Sequence, residues 1–289
     1  MRHNEVSRYL ENCAVGNALL PDSILLEIQN AGPQVNSVYP DYVPVVSSDE
    51  SMILFTSRRS NTTGGKINLD GQYFEDIYLC TRKNDGGWSK PEQLEKPINT
   101  KDHDACIGIS PDGKLLFVYK DSGGGDIFVS QIQGNNPKKW SKPEPLKGEV
   151  NTDYWEGSAS LSPDSKLLYF SSDQEGGYGG SDIYVSELQA DGSWGNPRNL
   201  GPIINTPYDE DAPQMHSDGK TLFFSSRGHD GMGGYDIFST VKDPATRQWS
   251  KPRNIGYPVN SANEDIYFSL TADGAKGYFS SYRFDSYGE

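Results

Sequence analysis

Ile204-Asn205-Thr206-Pro207-Tyr208-Asp209-Glu210 is one of five copies of a single ruler laid along this chain. In every copy a Val or Ile precedes an Asn and a Thr or Ser follows it, with an acid five positions after the Asn and an Asp thirteen positions after it. The asparagines are Asn36, Asn99, Asn151, Asn205 and Asn260. The acids are Asp41, Asp104, Glu156, Glu210 and Asp265, and the later aspartates are Asp49, Asp112, Asp164, Asp218 and Asp273. Eleven positions before each of the last four asparagines stands a Trp (Trp88, Trp140, Trp194, Trp249), followed three positions later by a Pro. A period of 52 to 63 residues with no slip of register is the signature of a repeat architecture.

Each unit reads as four short strands. Runs such as Lys220-Thr221-Leu222-Phe223-Phe224-Ser225-Ser226 are aromatic, β-favouring and bounded by turn formers. The preceding Ser110-Pro111-Asp112-Gly113 and its variants supply a tight hairpin turn. After each run comes a link, Gly-rich in several units, as in Gly176-Gly177-Tyr178-Gly179-Gly180, and a strand that opens with Asp-Ile-aromatic: Asp76-Ile77-Tyr78, Asp126-Ile127-Phe128, Asp182-Ile183-Tyr184, Asp236-Ile237-Phe238. The links lead into strands and not helices, so they are turns and not phosphate cradles. Trp-Ser-Lys-Pro or Trp194-Gly195-Asn196-Pro197 closes the unit, and its Pro belongs on an edge strand.

The fold class is therefore all-β, a β-propeller of five blades of four antiparallel strands, or six if a further unit follows, with a short N-terminal helix. Residues 1–22 are expected to hold that helix as the end of a preceding helical domain, and residues 23–289 the propeller. Val6, Tyr9, Leu10 and Cys13 follow helical spacing, with Gly16 as the expected stop. The ring is expected to close by residues 25–28 entering the fifth blade as its outer strand, with that blade's third strand just past Glu289.

A net charge of -14, from 40 Asp+Glu against 26 Lys+Arg, disfavours nucleic acid and anionic membrane surfaces as partners. No apolar stretch approaches a membrane span. Of the three cysteines, Cys80 and Cys106 fall in expected strands and read as small buried residues. No cofactor or metal motif accompanies the four histidines, and the pair His229-Asp230 lies in a Gly-rich loop that reads as solvated.

Two surfaces stand out as candidates. If first strands line the axis, Asp41, Asp104, Glu156, Glu210 and Asp265 form an acidic ring at one channel mouth that holds a cation or a basic side chain. The competing reading is a turn or capping role inside each blade, which a position repeated in every unit favours. The second surface is the insertion of unit one, residues 58–75, where Arg58, Arg59, Tyr73 and Phe74 form a contact face.

At Ile204 to Glu210, Tyr178-Gly179-Gly180-Ser181-Asp182-Ile183-Tyr184, Gly228 to Asp236 and Gly277-Tyr278-Phe279-Ser280-Ser281 the chain resembles the TolB-type, WD-like propeller repeats of Bacteroidetes OmpA-family envelope proteins. That family includes PorE-like components of the type IX secretion system. The resemblance implies a periplasmic, outer-membrane-associated protein whose signal sequence lies outside these residues, with its helix matching the tail of a TPR region. It implies a non-catalytic scaffold whose partners are envelope proteins of the same assembly, with no membrane insertion, and with peptidoglycan bound only through a domain not present in these residues. The alternatives are a glycan-acting hydrolase or lyase on a propeller scaffold, and a small-ligand or cation-binding propeller.

Overall fold

A hairpin whose turn is fixed by its own side chains is the unit from which the molecule is built. In the computed structural model, which describes residues 2–121, 124–134, 136–283 and 286, Ser47, Ser110, Ser162 and Thr271 each donate a hydroxyl hydrogen bond to the Asp two residues on, at 2.6–2.7 Å. The same Asp accepts a backbone N–H two positions further, so the turn is closed before the second strand starts.

Among the described residues these hairpins organise four four-stranded antiparallel sheets and one two-stranded sheet. The sheets are β1–β4 (Asp41–Val46, Met52–Ser57, Asp76–Thr81, Glu92–Gln93), β5–β8 (Asp104–Ile109, Leu115–Lys120, Asp126–Gln131, Glu144–Pro145) and β9–β12 (Glu156–Leu161, Leu167–Ser172, Asp182–Glu187, Arg198–Asn199). They continue with β13–β16 (Glu210–Met215, Thr221–Ser226, Asp236–Val241, Arg253–Asn254) and β17–β18 (Asp265–Leu270, Gly277–Ser281). First strands touch in the order β1, β5, β9, β13, β17 and back to β1, so the sheets form a closed ring. This is an all-β propeller with a short N-terminal helix.

The expectation of five four-stranded blades is corrected: four blades are complete and the fifth sheet has two strands among the described residues. Residues 25–28 form no strand. Leu25 is fully exposed, and just before the segment Ile24 N–H donates to Tyr257 O, in the loop between β16 and β17, at 2.9 Å. The joint between the last sheet and the first is made by side chains instead. Glu50 Oε2 accepts from Lys276 Nζ at 2.8 Å, Arg82 Nη2 at 3.2 Å and Tyr278 O–H at 3.2 Å, and Val43 N–H donates to Ser280 Oγ at 3.1 Å.

The outer strands also differ from expectation. The Trp residues form isolated bridges (Arg82–Trp88, Ile132–Trp140, Leu188–Trp194, Lys242–Trp249, with a second from Trp194 to Gly148), and the paired two-residue strand follows the Pro. Pro interrupts the donor row, so the ladder resumes only beyond it.

Third strands carry the packing. Ile77, Ile127, Ile183 and Ile237 are fully buried, each contributing about 2–3 kcal/mol of burial. The following aromatic stacks on its partner across the ladder, Phe55 on Tyr78, Phe170 on Tyr184 and Phe224 on Phe238, with centroids 5.9–6.0 Å apart. The helix α1 (Arg2–Leu19) runs past Gly16, which is no stop: a Cβ there would meet Met232 Cβ at 3.2 Å, so the glycine permits close approach to the propeller.

The repeated asparagine fixes each blade to its exit. Asn99, Asn151, Asn205 and Asn260 accept the N–H of Ile77, Ile127, Ile183 and Ile237 at 2.8–3.0 Å and donate to the carbonyl of the same isoleucine at 2.8–3.0 Å. Removing this amide strands the isoleucine N–H away from water, at a cost of about 1–3 kcal/mol, and leaves the carbonyl with its one remaining bond, from the N–H of Leu94, Leu146, Leu200 or Ile255. Asn205→Ala is therefore expected to lower unfolding free energy by about 3 kcal/mol in urea titrations. Asn36→Ala, whose amide touches only Asn30 among the described residues, is expected to cost under about 1 kcal/mol.

Candidate functional site

Each of the five acids begins a first strand and closes the loop that enters it. The residue following the asparagine donates its backbone N–H to the carboxylate: Ser37 to Asp41, Thr100 to Asp104, Thr152 to Glu156, Thr206 to Glu210 and Ser261 to Asp265, at 2.5–3.0 Å. In the last four copies the hydroxyl of that residue donates as well, at 2.7–2.8 Å. The end of the second strand completes the set through Ser172, Ser226 and Ser281, Lys120 stands there for Asp104, and Arg59, two residues past β2, serves Asp41. Asp104, Glu156, Glu210 and Asp265 are fully buried. None of the five lines the axial cavity, which measures about 50 Å³ and is walled by Val43, Ile107, Ser158, Ala212 and Tyr267. The structure thus brings the acids into five equivalent loops and not to one opening.

The insertion gathers a set of groups that no other unit has. Glu75 Oε1 accepts from Tyr42 O–H at 2.9 Å and from Arg58 Nη2, while Glu75 Oε2 meets His103 Nδ1. Arg58 also reaches Gln72 and Asp70, and Phe74 stacks on the His103 ring at 3.8 Å. Burial works to raise the Glu75 carboxyl, but the His103 contact and the Arg58 charge hold it below the usual range. Tyr42 is driven far up by burial and by Glu75. Both arginines point inward: Arg58 into this cluster, and Arg59 onto Asp41 and the Val35 carbonyl. Tyr73 packs edge-on against Tyr39, and Lys66 lies over Phe74. Sequence reasoning found Arg58, Arg59, Tyr73 and Phe74 but missed the roles of Tyr42, Glu75 and His103. The available signal was that Glu75 and His103 each sit directly before a strand-opening Asp.

His229 is half-buried, not solvated as expected from its loop. Its Nε2 faces the Ile204 carbonyl at 2.8 Å, its ring lies against Phe224 and Phe238, and burial lowers its pKa. The same loop receives α1, through Arg8 Nη2 to the Arg227 and His229 carbonyls and Asn12 Nδ2 to Gly233 O at 2.6 Å. The helix docks with its polar side. Val6, Tyr9 and Leu10, the apolar stripe of the sequence, are 56–69 % exposed. Cys80 and Cys106 are buried free thiols pushed up to about 12, and Cys13 is exposed. Among the described residues no group of three His, Cys, Asp or Glu is placed to hold a metal ion.

No protein-family model and no curated protein matches this sequence. Solved structures do match in fold. A putative TolB from Agrobacterium tumefaciens superposes with a TM-score of 0.51 at 20% identity, covering 86% of this chain and 72% of that one. An α-L-arabinofuranosidase from Lactobacillus brevis superposes with a TM-score of 0.53 at 14% identity, covering 83% and 82%. The TolB-like propeller fold is shown by these likenesses, and because one fold carries such different proteins it decides no activity.

Two opposed sets of carboxyls set the acid response. Hydroxyl hydrogen bonds hold Asp49, Asp112, Asp164 and Asp273 below the usual range; at Asp218 burial works upward, but Thr221 and backbone amides bring it to about 2. Burial raises Glu210 and Asp236 to about 7. A depressed folded pKa gives stability that is lost as pH falls through it; a raised one gives stability that is lost as pH rises through it. Stability is therefore expected to peak near about pH 5 and to fall toward pH 8. The fall measured in urea between pH 6 and pH 8 is expected to shrink in Glu210→Gln, and a fall of unchanged size would refute the assignment.

Proposed function

We propose that this chain is a non-catalytic, protein-binding propeller of the bacterial periplasm, working in an outer-membrane-associated envelope assembly of the OmpA-family, type IX secretion kind. The observation that carries the reading is the N-terminal segment. There α1 spends its polar side on the propeller and leaves Val6, Tyr9 and Leu10 to solvent, next to exposed Leu20, Ile24, Leu25 and Leu26. Exposed apolar residues concentrated on one short segment mark a contact surface. The insertion face of Tyr73 and Phe74, braced by Arg58 and Arg59, is a second contact surface in this proposal. The five acids enter it as loop caps. Residues 1–22 are the end of a preceding helical unit, docked on the propeller of residues 23–289; envelope proteins are the partners, and peptidoglycan is reached only through another domain.

A glycan-acting hydrolase is the second reading, favoured by one observation: Tyr42, Arg58, Glu75 and His103 form an acid-base set that breaks the repeat. Against it, both Glu75 oxygens are occupied and its carboxyl is held low, which suits a brace better than a proton donor.

The test is capture from envelope extract followed by reconstitution with the purified captured protein. Binding is expected to weaken about tenfold or more in Tyr9→Ser/Leu10→Ser and to be unchanged in Glu75→Gln. Failure of every captured protein to bind when purified would sink the scaffold reading. Turnover of nitrophenyl glycosides that disappears in Glu75→Gln would establish the enzyme.

A further inference from the structure

The fourth blade holds α1 in a cradle of main-chain carbonyls, and the third blade builds the same cradle again. Arg8, Asn12 and Gly16 form one stripe of α1 at four-residue steps. The Arg8 guanidinium lies 5.4 Å from the Tyr208 ring centre, and its Nη2 donates to the Arg227 and His229 carbonyls at 2.9 and 2.5 Å. One turn on, Asn12 Nδ2 donates to the Gly233 carbonyl at 2.6 Å, and after another turn Gly16 faces Met232. A ring, three carbonyls and one apolar platform thus receive three steps of one helix.

Each part has a counterpart on the third blade, positioned by the same bonds. Tyr154 follows Asn151 by three residues, as Tyr208 follows Asn205. Asp173 N–H donates to the Trp155 carbonyl at 3.2 Å, as Arg227 N–H does to the Asp209 carbonyl at 3.0 Å, so the loops after β10 and β14 leave their strands alike. In the Gly-rich links, Tyr178 N–H and Met232 N–H each donate at 2.5 Å to the Asp four residues on. The next links, Gly180 and Gly234, donate to the entry loop of the following blade, at the Tyr208 and Asn263 carbonyls. Tyr154 is therefore the ring, Asp173, Glu175 and Gly179 supply the carbonyls, and Tyr178 is the platform. Tyr154 and Tyr178 are 40 % and 49 % exposed.

The two cradles differ most in charge. Asp173 stands where the fourth blade has Arg227, and Glu175 where it has His229. Glu175 sits beside the ring, accepting from Tyr154 O–H at 3.4 Å. The third-blade copy keeps the carbonyl geometry that holds Arg8 and adds two carboxylates to it.

We propose that this cradle docks a helix of a partner protein whose contact stripe runs Arg, amide, small residue at four-residue steps. Arg suits the first step because a planar guanidinium lies on a Tyr face while donating to two carbonyls. The carboxylates of Asp173 and Glu175 select a basic stripe over a neutral or acidic one. The inference rests on the protein-binding reading above but uses another surface, so loss of peptide binding here and loss of the captured protein in Tyr9→Ser/Leu10→Ser are scored separately.

The probe is a fluorescent peptide of residues 2–19, held helical by a lactam between Cys13→Lys and Asn17→Glu on the side away from Arg8, titrated into the full chain and read by anisotropy. Saturable binding is expected, weakened about tenfold or more by Arg8→Ala in the peptide and by Glu175→Lys or Tyr154→Ala in the protein, and less by Tyr208→Ala. Glu175 is exposed, so Glu175→Lys keeps the test informative if Tyr154→Ala does not fold. No binding, equal binding of the Arg8→Ala peptide, unchanged affinity in both third-blade variants, or a larger effect of Tyr208→Ala would overturn the proposal. So would a dimer in sedimentation that Glu175→Lys abolishes, since α1 of a second copy would then own the cradle.

Discussion

The structure depends on one side-chain amide per unit reproducing the edge of a strand. Asn99, Asn151, Asn205 and Asn260 each satisfy both backbone groups of one isoleucine, at a point where the outer strand is only two residues long. Aspartate would bring charge and no donor to this buried site, so the N–H and the carbonyl cannot both be met by it. The amide fixes where the chain leaves one blade. The Thr or Ser that follows, hydrogen-bonded to the acid four residues on, fixes where it enters the next. Exit and entry are thus set within six residues, and the angle between neighbouring blades is a local property. A ring then follows from repetition of that local geometry.

This explains what was legible in the sequence. The ruler from Asn to acid to Asp is the geometry of the joint and of the hairpin turn, and both are local. The capping role of the acids was visible in the same way, because a position repeated in every unit serves the unit; the hydroxyl that bonds the acid follows the Asn in the last four copies. What escaped were contacts between distant segments. Arg58 and Arg59 look like surface charges until Glu75 and Asp41 are brought beside them by the turn of the chain. Gly16 looks like a helix stop until Met232 is placed against it. Residues 25–28 satisfy the register of an outer strand, but register is not enough: a strand forms when a neighbour offers its ladder, and among the described residues none lies beside them. The position that keeps blade geometry is Asn30, through its short-range bonds to Gly32 and Asn36.

Departures from the repeat fall at the axis and at the joints. Every first strand shifts register midway, and in three of them the bulged position, Val43, Ala212 or Tyr267, has φ of 52–61°. Such a conformation in a non-glycine residue costs of order 1–3 kcal/mol and persists only where the surroundings enforce it. Here the five first strands converge and leave about 50 Å³ between them. The axis is therefore a packed core, and the groups that break the repeat lie outside it, at the insertion and the helix.

Closure is uneven as a result. Four joints carry a buried amide, whereas at the fifth Glu50 accepts from Lys276 and Tyr278, Val43 donates to Ser280, and Tyr278 packs on the cluster of Val35, Ile53 and Phe55. Lys276 and Glu50 are partly exposed, and exposed ion pairs contribute little, about 0–1 kcal/mol. A two-stranded sheet is also marginal by itself. Among the described residues the β17–β18 pair carries fewer ladder bonds than any complete blade, so the bonding around the ring is graded and not uniform.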